Sequence, residues 1–198
     1  MGRHANKSQM TSNRSVIEQM FGVQPERTDR IIYLSGVMDE QSVMNVTSQL
    51  FTFAGQDSFK PIHLIISTYG GFIDEMFGLY DAIKLMPCPI HTIGLGKIMS
   101  AGLLILASGT QGERMIGSNA RVMIHSARGC VSGNVFEIIN ETDEMLRHQS
   151  LLSDLVVQNT SMTREKVDEL MKCGHDVYIS PEEAVTYGIV DKIAKSKT

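Results

Sequence analysis

Residues 62–93, IHLIISTYGGFIDEMFGLYDAIKLMPCPIHTI, decide the fold class. Ile62-His-Leu-Ile-Ile-Ser67 is almost wholly apolar, the pattern of a strand covered on both faces of its sheet. Gly70-Gly71 then breaks the chain. Beyond it Phe72, Met76, Leu79, Tyr80 and Ile83 recur at helical spacing until Pro87 stops the run. Ile90-His-Thr-Ile93 reads as a strand again. Strand, helix and strand in that order predict an α/β domain.

The alternation continues outward in both directions. Ile31-Ile-Tyr-Leu-Ser35 reads as a strand, followed by a helix over about 41–54. Ser100 onward reads as a buried helix ending near Gly109, and Arg121-Val-Met-Ile-His125 as another strand. The longest helix is expected over about 134–159, with Val135, Ile138, Ile139, Thr142, Met145, Leu146, Leu152 and Val156 on one stripe. Ser180-Pro-Glu-Glu183 opens a further helix with a serine cap, proline at the first position and glutamate three residues on. Residues 1–16 are polar and basic and are expected to form a flexible arm; 17–198 read as a single domain.

Composition excludes several function classes. The net charge is −4, and Lys and Arg are scattered, so no basic field invites nucleic acid. Three widely spaced cysteines, Cys88, Cys130 and Cys173, form no CxxC pair, so neither a disulfide framework nor a zinc knuckle is indicated. No metal and no cofactor is expected. The first residues lack the apolar core of a secretory leader. The best apolar run, Ala101–Ala107, is too short to span a bilayer. These features predict a cytoplasmic protein with no membrane partner.

Chemistry points first to Gly94-Leu-Gly-Lys-Ile-Met-Ser-Ala-Gly102. Ser100 falls at a strand-to-helix junction among small residues, where unpaired N–H groups favour developing negative charge. A helix-capping serine would read the same way. The glycines resemble neither a complete dinucleotide fingerprint, since Met99 replaces the third glycine, nor a P-loop, since Ile98 follows Gly96-Lys97. The chain therefore has no visible nucleotide site of its own. His125, at a strand end, is positioned as a general base, and Asp176, before Val177-Tyr-Ile179, as its orienting carboxylate. In the plainer reading His125 is a satisfied histidine at the sheet edge and Asp176 a turn or capping aspartate. Lys97, three residues before Ser100, is a rival base, expected to point away from the hydroxyl.

The order and spacing of these segments resemble the Clp protease proteolytic subunit (ClpP) family from about residue 16 to 193. Gly96-Lys-Ile-Met-Ser100-Ala-Gly102 with Gly109-Thr-Gln-Gly112 is similar to the family's serine segment. Asn119-Ala-Arg-Val-Met-Ile-His125 is similar to its histidine segment. Asp176-Val-Tyr-Ile-Ser-Pro-Glu-Glu-Ala-Val-Thr-Tyr-Gly-Ile-Val-Asp191 is similar to its aspartate segment. The resemblance implies a ClpP/crotonase-like fold of stacked strand–strand–helix units, with the helix at about 134–159 as a protruding handle. It implies a serine endopeptidase with catalytic Ser100, His125 and Asp176, and with Gly70 and Ala101 as backbone donors of the oxyanion hole. It also implies a homo-oligomer of two stacked heptameric rings enclosing a chamber. Unfolded polypeptides would be fed to it by a Clp/Hsp100 AAA+ unfoldase of the ClpX or ClpA type.

Three segments depart from the family pattern. Ser67-Thr-Tyr-Gly-Gly71 replaces Ser-Pro-Gly-Gly, Ser126-Ala-Arg-Gly-Cys130 replaces Gln-Pro-x-Gly-Gly, and Gly174-His175 stands where an Asp-Arg pair is frequent. Three rival readings follow: a non-catalytic or weakly active ring subunit paired with an active paralogue, an acyl-CoA enzyme of the crotonase type, and a Ser100–Lys97 dyad peptidase.

Overall fold

The computed structural model describes residues 30–194, so the arm expected at 1–16 lies outside the described residues. Strand β1 (Ile31–Met38) leads into helix α1 (Glu40–Gln56). Asp39 starts that helix: its carboxylate accepts from the Ser42 amide, and the Ser42 hydroxyl accepts from the Asp39 amide. This reciprocal cap satisfies two of the donors that a helix start leaves open. β2 (Ile62–Gly71) then pairs parallel with β1, and α2 (Ile73–Leu85) returns the chain to β3 (Ile90–Met99), parallel to β2.

β3 divides its pairing between two neighbours. Its first half, at Ile93 and Gly94, joins β4 (Met115–Gly117), which in turn pairs with β7 (Lys192–Ala194). Its second half, Lys97 to Met99, joins β5 (Arg121–Ile124) in parallel, and β5 pairs antiparallel with β6 (Val177–Ile179). The seven strands form one sheet in the order β1-β2-β3-β4-β7, with β5 and β6 branching from β3. Between β3 and β4 runs α3 (Ala101–Ala107), every residue of which is buried. The remaining helices are α4 (Val135–Asn159), α5 (Arg164–Lys172) and α6 (Pro181–Thr186). Leu34, Leu64, Ile66, Leu79, Leu103 and Ile105 form part of one buried cluster joining the sheet to its helices.

The structure extends the sequence reading in two places. β2 runs through both glycines, because Gly70 and Gly71 stay paired with Val37 and Met38. β3 continues past Ile93 to Met99, so the segment around Gly96 is strand, not turn. The stripe expected on α4 is covered only towards its far end: Val156 is buried, while Val135 and Leu146 are 68% and 64% exposed. No helix among the described residues is long and apolar enough to cross a membrane.

One buried ion pair fastens the end of the chain. Arg114, 6% exposed, donates from Nε to Asp191 Oδ2 at 3.1 Å and from Nη2 to Oδ1 at 2.7 Å. Its Nη1 donates to the Ala107 and Asn159 carbonyls. Burial works against the Asp191 charge, but the Arg114 side-chain and backbone hydrogen bonds outweigh it. The carboxyl is held below its usual range.

Candidate active site

The strand registers assemble the site. β3 and β5 run parallel with Met99 beside Met123, and the Ser100 amide donates to the Met123 carbonyl at 2.8 Å. β5 and β6 pair Val122 with Ile179, Met123 with Tyr178 and Ile124 with Val177. The pairing ends at Ile124 and Val177, so His125 follows β5 and Asp176 precedes β6 at the same end of the pair. Ser100, His125 and Asp176, though far apart in sequence, therefore stand at the ends of three adjacent strands, and all three are partly buried.

Ser100 carries a strained backbone. With φ 55° and ψ −119°, it is the only non-glycine residue with positive φ among those described. Such a conformation costs on the order of 1–3 kcal/mol and persists where the surroundings enforce it. Here the enforcement is close packing. A Cβ on Gly70 would lie 2.8 Å from both the Met99 carbonyl oxygen and the Ser100 Cβ, and one on Gly102 would lie 2.6 Å from Thr68 Cγ2. The end of β2 is thus pressed against the strand-to-helix turn, which forces Ser100 out towards the cleft in the manner of a nucleophile elbow.

A cleft of about 510 Å³ opens at this point, lined by Ser100, Ala101 and His125 together with Tyr69, Phe72 and Arg128. Apolar side chains, including Ile73, Met76 and Leu152, give it the greasy walls suited to a peptide side chain. Lys97, the rival base, is turned onto Tyr69, its Nζ 4.5 Å from the ring centroid. On the far wall His148 Nε2 lies 3.0 Å from Glu144 Oε1 and 3.5 Å from Asp74 Oδ1.

The histidine and the aspartate each have a local partner. His125 Nδ1 lies 2.5 Å from the Ser126 carbonyl oxygen. A carbonyl only accepts, so this contact selects the tautomer protonated at Nδ1 and leaves Nε2 as the acceptor that a general base requires. Asp176 Oδ1 is ion-paired with Arg128 Nη2. Arg128 is rooted by its neighbour, since the Ala127 amide donates to Gln149 Oε1 on α4 at 2.7 Å.

The oxyanion expectation changes for one residue. The Gly70 amide donates to Thr68 Oγ1 at 3.0 Å, which turns it away from the cleft. The Phe72 amide donates to the Met38 carbonyl on β1. Gly71, not Gly70, also lines the cleft beside Ala101. The doublet was visible in the sequence; which member lines the cleft depends on register. Sequence reasoning likewise noted Arg128 only as part of a departure from a family pattern and gave it no role.

A second cavity, of about 440 Å³, contains none of the expected site residues, and its cations are engaged. Lys84 Nζ donates to the Ser108 carbonyl, and Arg114 holds Asp191. Burial, and then the Arg114 charge, push the Lys84 ammonium below its usual range. Among the described residues no group of three His, Cys, Asp or Glu side chains is arranged to hold a metal ion.

A mostly parallel sheet covered by helices, with a long helix presenting an uncovered apolar stripe, is the architecture of a ClpP-type peptidase. The family model for Clp protease matches residues 17–197, and the chain belongs to that family.

Proposed function

We propose that the protein is a serine endopeptidase in which Ser100 is the nucleophile, His125 the general base and Asp176 the carboxylate that supports it. What supports this reading is that Ser100, held in a strained turn, and His125 line one cleft, while Asp176 stands at the near end of the strand paired with β5. His125 Nε2 takes the Ser100 proton as Oγ attacks the scissile carbonyl carbon. The resulting oxyanion accepts hydrogen bonds from the amides of Ala101 and Gly71, the latter in the part expected of Gly70. Collapse breaks the C–N bond, and the amine leaves with the proton from His125. Water, deprotonated by the same imidazole, then releases the acyl group from Ser100.

The family reading extends to assembly and supply. Members of a ring-forming peptidase family need a surface for neighbouring copies, and the exposed Val135, Phe136, Ile138, Ile139 and Leu146 on α4 are suited to that use. Two stacked heptameric rings would sequester the cleft, and a AAA+ unfoldase of the ClpX or ClpA type would deliver unfolded chains. The absence of a nucleotide motif from the sequence agrees with ATP being spent by such a partner.

Cleavage of a short fluorogenic peptide by the assembled protein tests the chemistry. Ser100→Ala is expected to lower kcat by about 10⁴-fold or more while leaving solution mass and circular dichroism unchanged. Near-normal cleavage by that variant would remove the serine mechanism.

A further inference from the structure

Arg128 and Asp176 occupy the place where the second link of a catalytic triad belongs. His125 follows β5 and Asp176 precedes β6, at the same end of that antiparallel pair. Yet Asp176 Oδ1 is taken by the Arg128 guanidinium, and His125 Nδ1 by the Ser126 carbonyl. Both partners come from the segment between β5 and α4. Its root is fixed by the Ala127–Gln149 hydrogen bond, so Arg128 projects from an anchored base.

We propose that Arg128 is a latch on the catalytic carboxylate: the Arg128–Asp176 ion pair holds the site in a low-activity arrangement, and productive turnover occurs when the pair opens and Asp176 turns to His125. This rests on the serine-peptidase reading given above. In the latched arrangement the imidazole keeps the useful tautomer through a neutral carbonyl. What it lacks is a carboxylate to stabilise the imidazolium that forms as the Ser100 proton arrives. The arginine also draws the carboxylate's charge towards itself, and charge-assisted bonds of this kind are the strong members of their class.

The size of the effect is bounded by solvent. The Arg128 side chain is 61% exposed and that of Asp176 31%, and exposed pairs of this kind bias an equilibrium only a few-fold. The latch therefore tunes the peptidase without switching it off.

The experiment compares the assembled wild-type protein with Arg128→Ala, Arg128→Lys and Ser100→Ala on a short fluorogenic peptide, with solution mass measured on each sample. Arg128→Ala is expected to raise kcat about three- to fivefold with KM unchanged, and Arg128→Lys, which keeps a charge but loses the planar fork, to fall between. In 1 M salt, where screening shortens to roughly 3 Å, wild-type kcat should rise towards that of Arg128→Ala. A merely structural arginine would not yield a gain on removal. An unchanged or lowered kcat in a correctly assembled Arg128→Ala protein overturns the latch. If Arg128→Ala fails to assemble, the Arg128→Lys and salt arms decide the matter by the same directions. Retained cleavage by Ser100→Ala would instead overturn the underlying peptidase reading.

Discussion

Two arginine–aspartate pairs stand at different places on one sheet and do opposite things. Arg114 and Asp191 meet at the β4–β7 side, buried, joined by two side-chain hydrogen bonds, with the Arg114 backbone amide adding a third. Arg128 and Asp176 meet beyond the β5–β6 end, largely in solvent, joined through one guanidinium nitrogen. A buried pair is committed: removing either partner strands a charge in a poor dielectric. An exposed pair is exchangeable, because water takes over either group at little cost. The first ties the start of β4 to the start of β7, and the second stands beside a cleft that Arg128 lines. Burial, not the identity of the residues, separates an anchor from a latch.

Four changes would break or sharpen that contrast. The largest effect is expected at the exchangeable pair's carboxylate, measured as chemistry. Asp176→Asn should lower kcat on a short peptide by about 10⁴-fold with little change in urea midpoint, since the side chain supports an imidazolium and not the core. A loss below tenfold would show that Asp176 has no part in the reaction. Next comes the committed pair, measured as stability. Arg114→Met should destabilise the protein by about 3–5 kcal/mol in urea unfolding at matched protein concentration, with kcat per folded molecule unchanged. An effect within 1 kcal/mol would mean that the pair is replaceable.

The same pair has a pH signature. Its hydrogen bonds lower the folded pKa of Asp191, so its stabilising effect is complete above the unfolded carboxylate value of about 3.9 and is lost as pH falls through the lower folded value. Asp191→Asn should flatten the acid limb of the stability profile. The smallest effect is the few-fold gain in kcat expected from Arg128→Ala, and its sign alone distinguishes a latch from an anchor.

How legible each region was in the sequence follows from how local its determinants are. Ile62–Ser67 and the helix down to Pro87 announced themselves, since burial on both faces and a 3.6-residue period are written in consecutive residues. The second half of β3 did not, because Gly94, Gly96 and Lys97 obscure a strand whose pairing with β5 is long-range. β4 and β7 are three residues each, too short to show a period. α5 is dominated by charge, with Val167, Leu170 and Met171 as its buried side. At the site, the junction at Ser100 and the strand end at His125 gave weak local signals, and resemblance to a family joined them to Asp176. The strain at Ser100, the tying of the Gly70 amide to Thr68 and the capture of Asp176 by Arg128 all depend on packing that consecutive residues do not spell out. No reading of neighbouring residues reveals them.

The central claim is that an imidazole activates one hydroxyl at the edge of the cleft. Treating the assembled protein with a fluorophosphonate and locating the adduct by mass spectrometry tests it most directly. The account predicts a single modified residue, Ser100, whose labelling collapses in His125→Ala and persists in Lys97→Ala. Absence of an adduct at Ser100, or labelling there at full rate without His125, would contradict it.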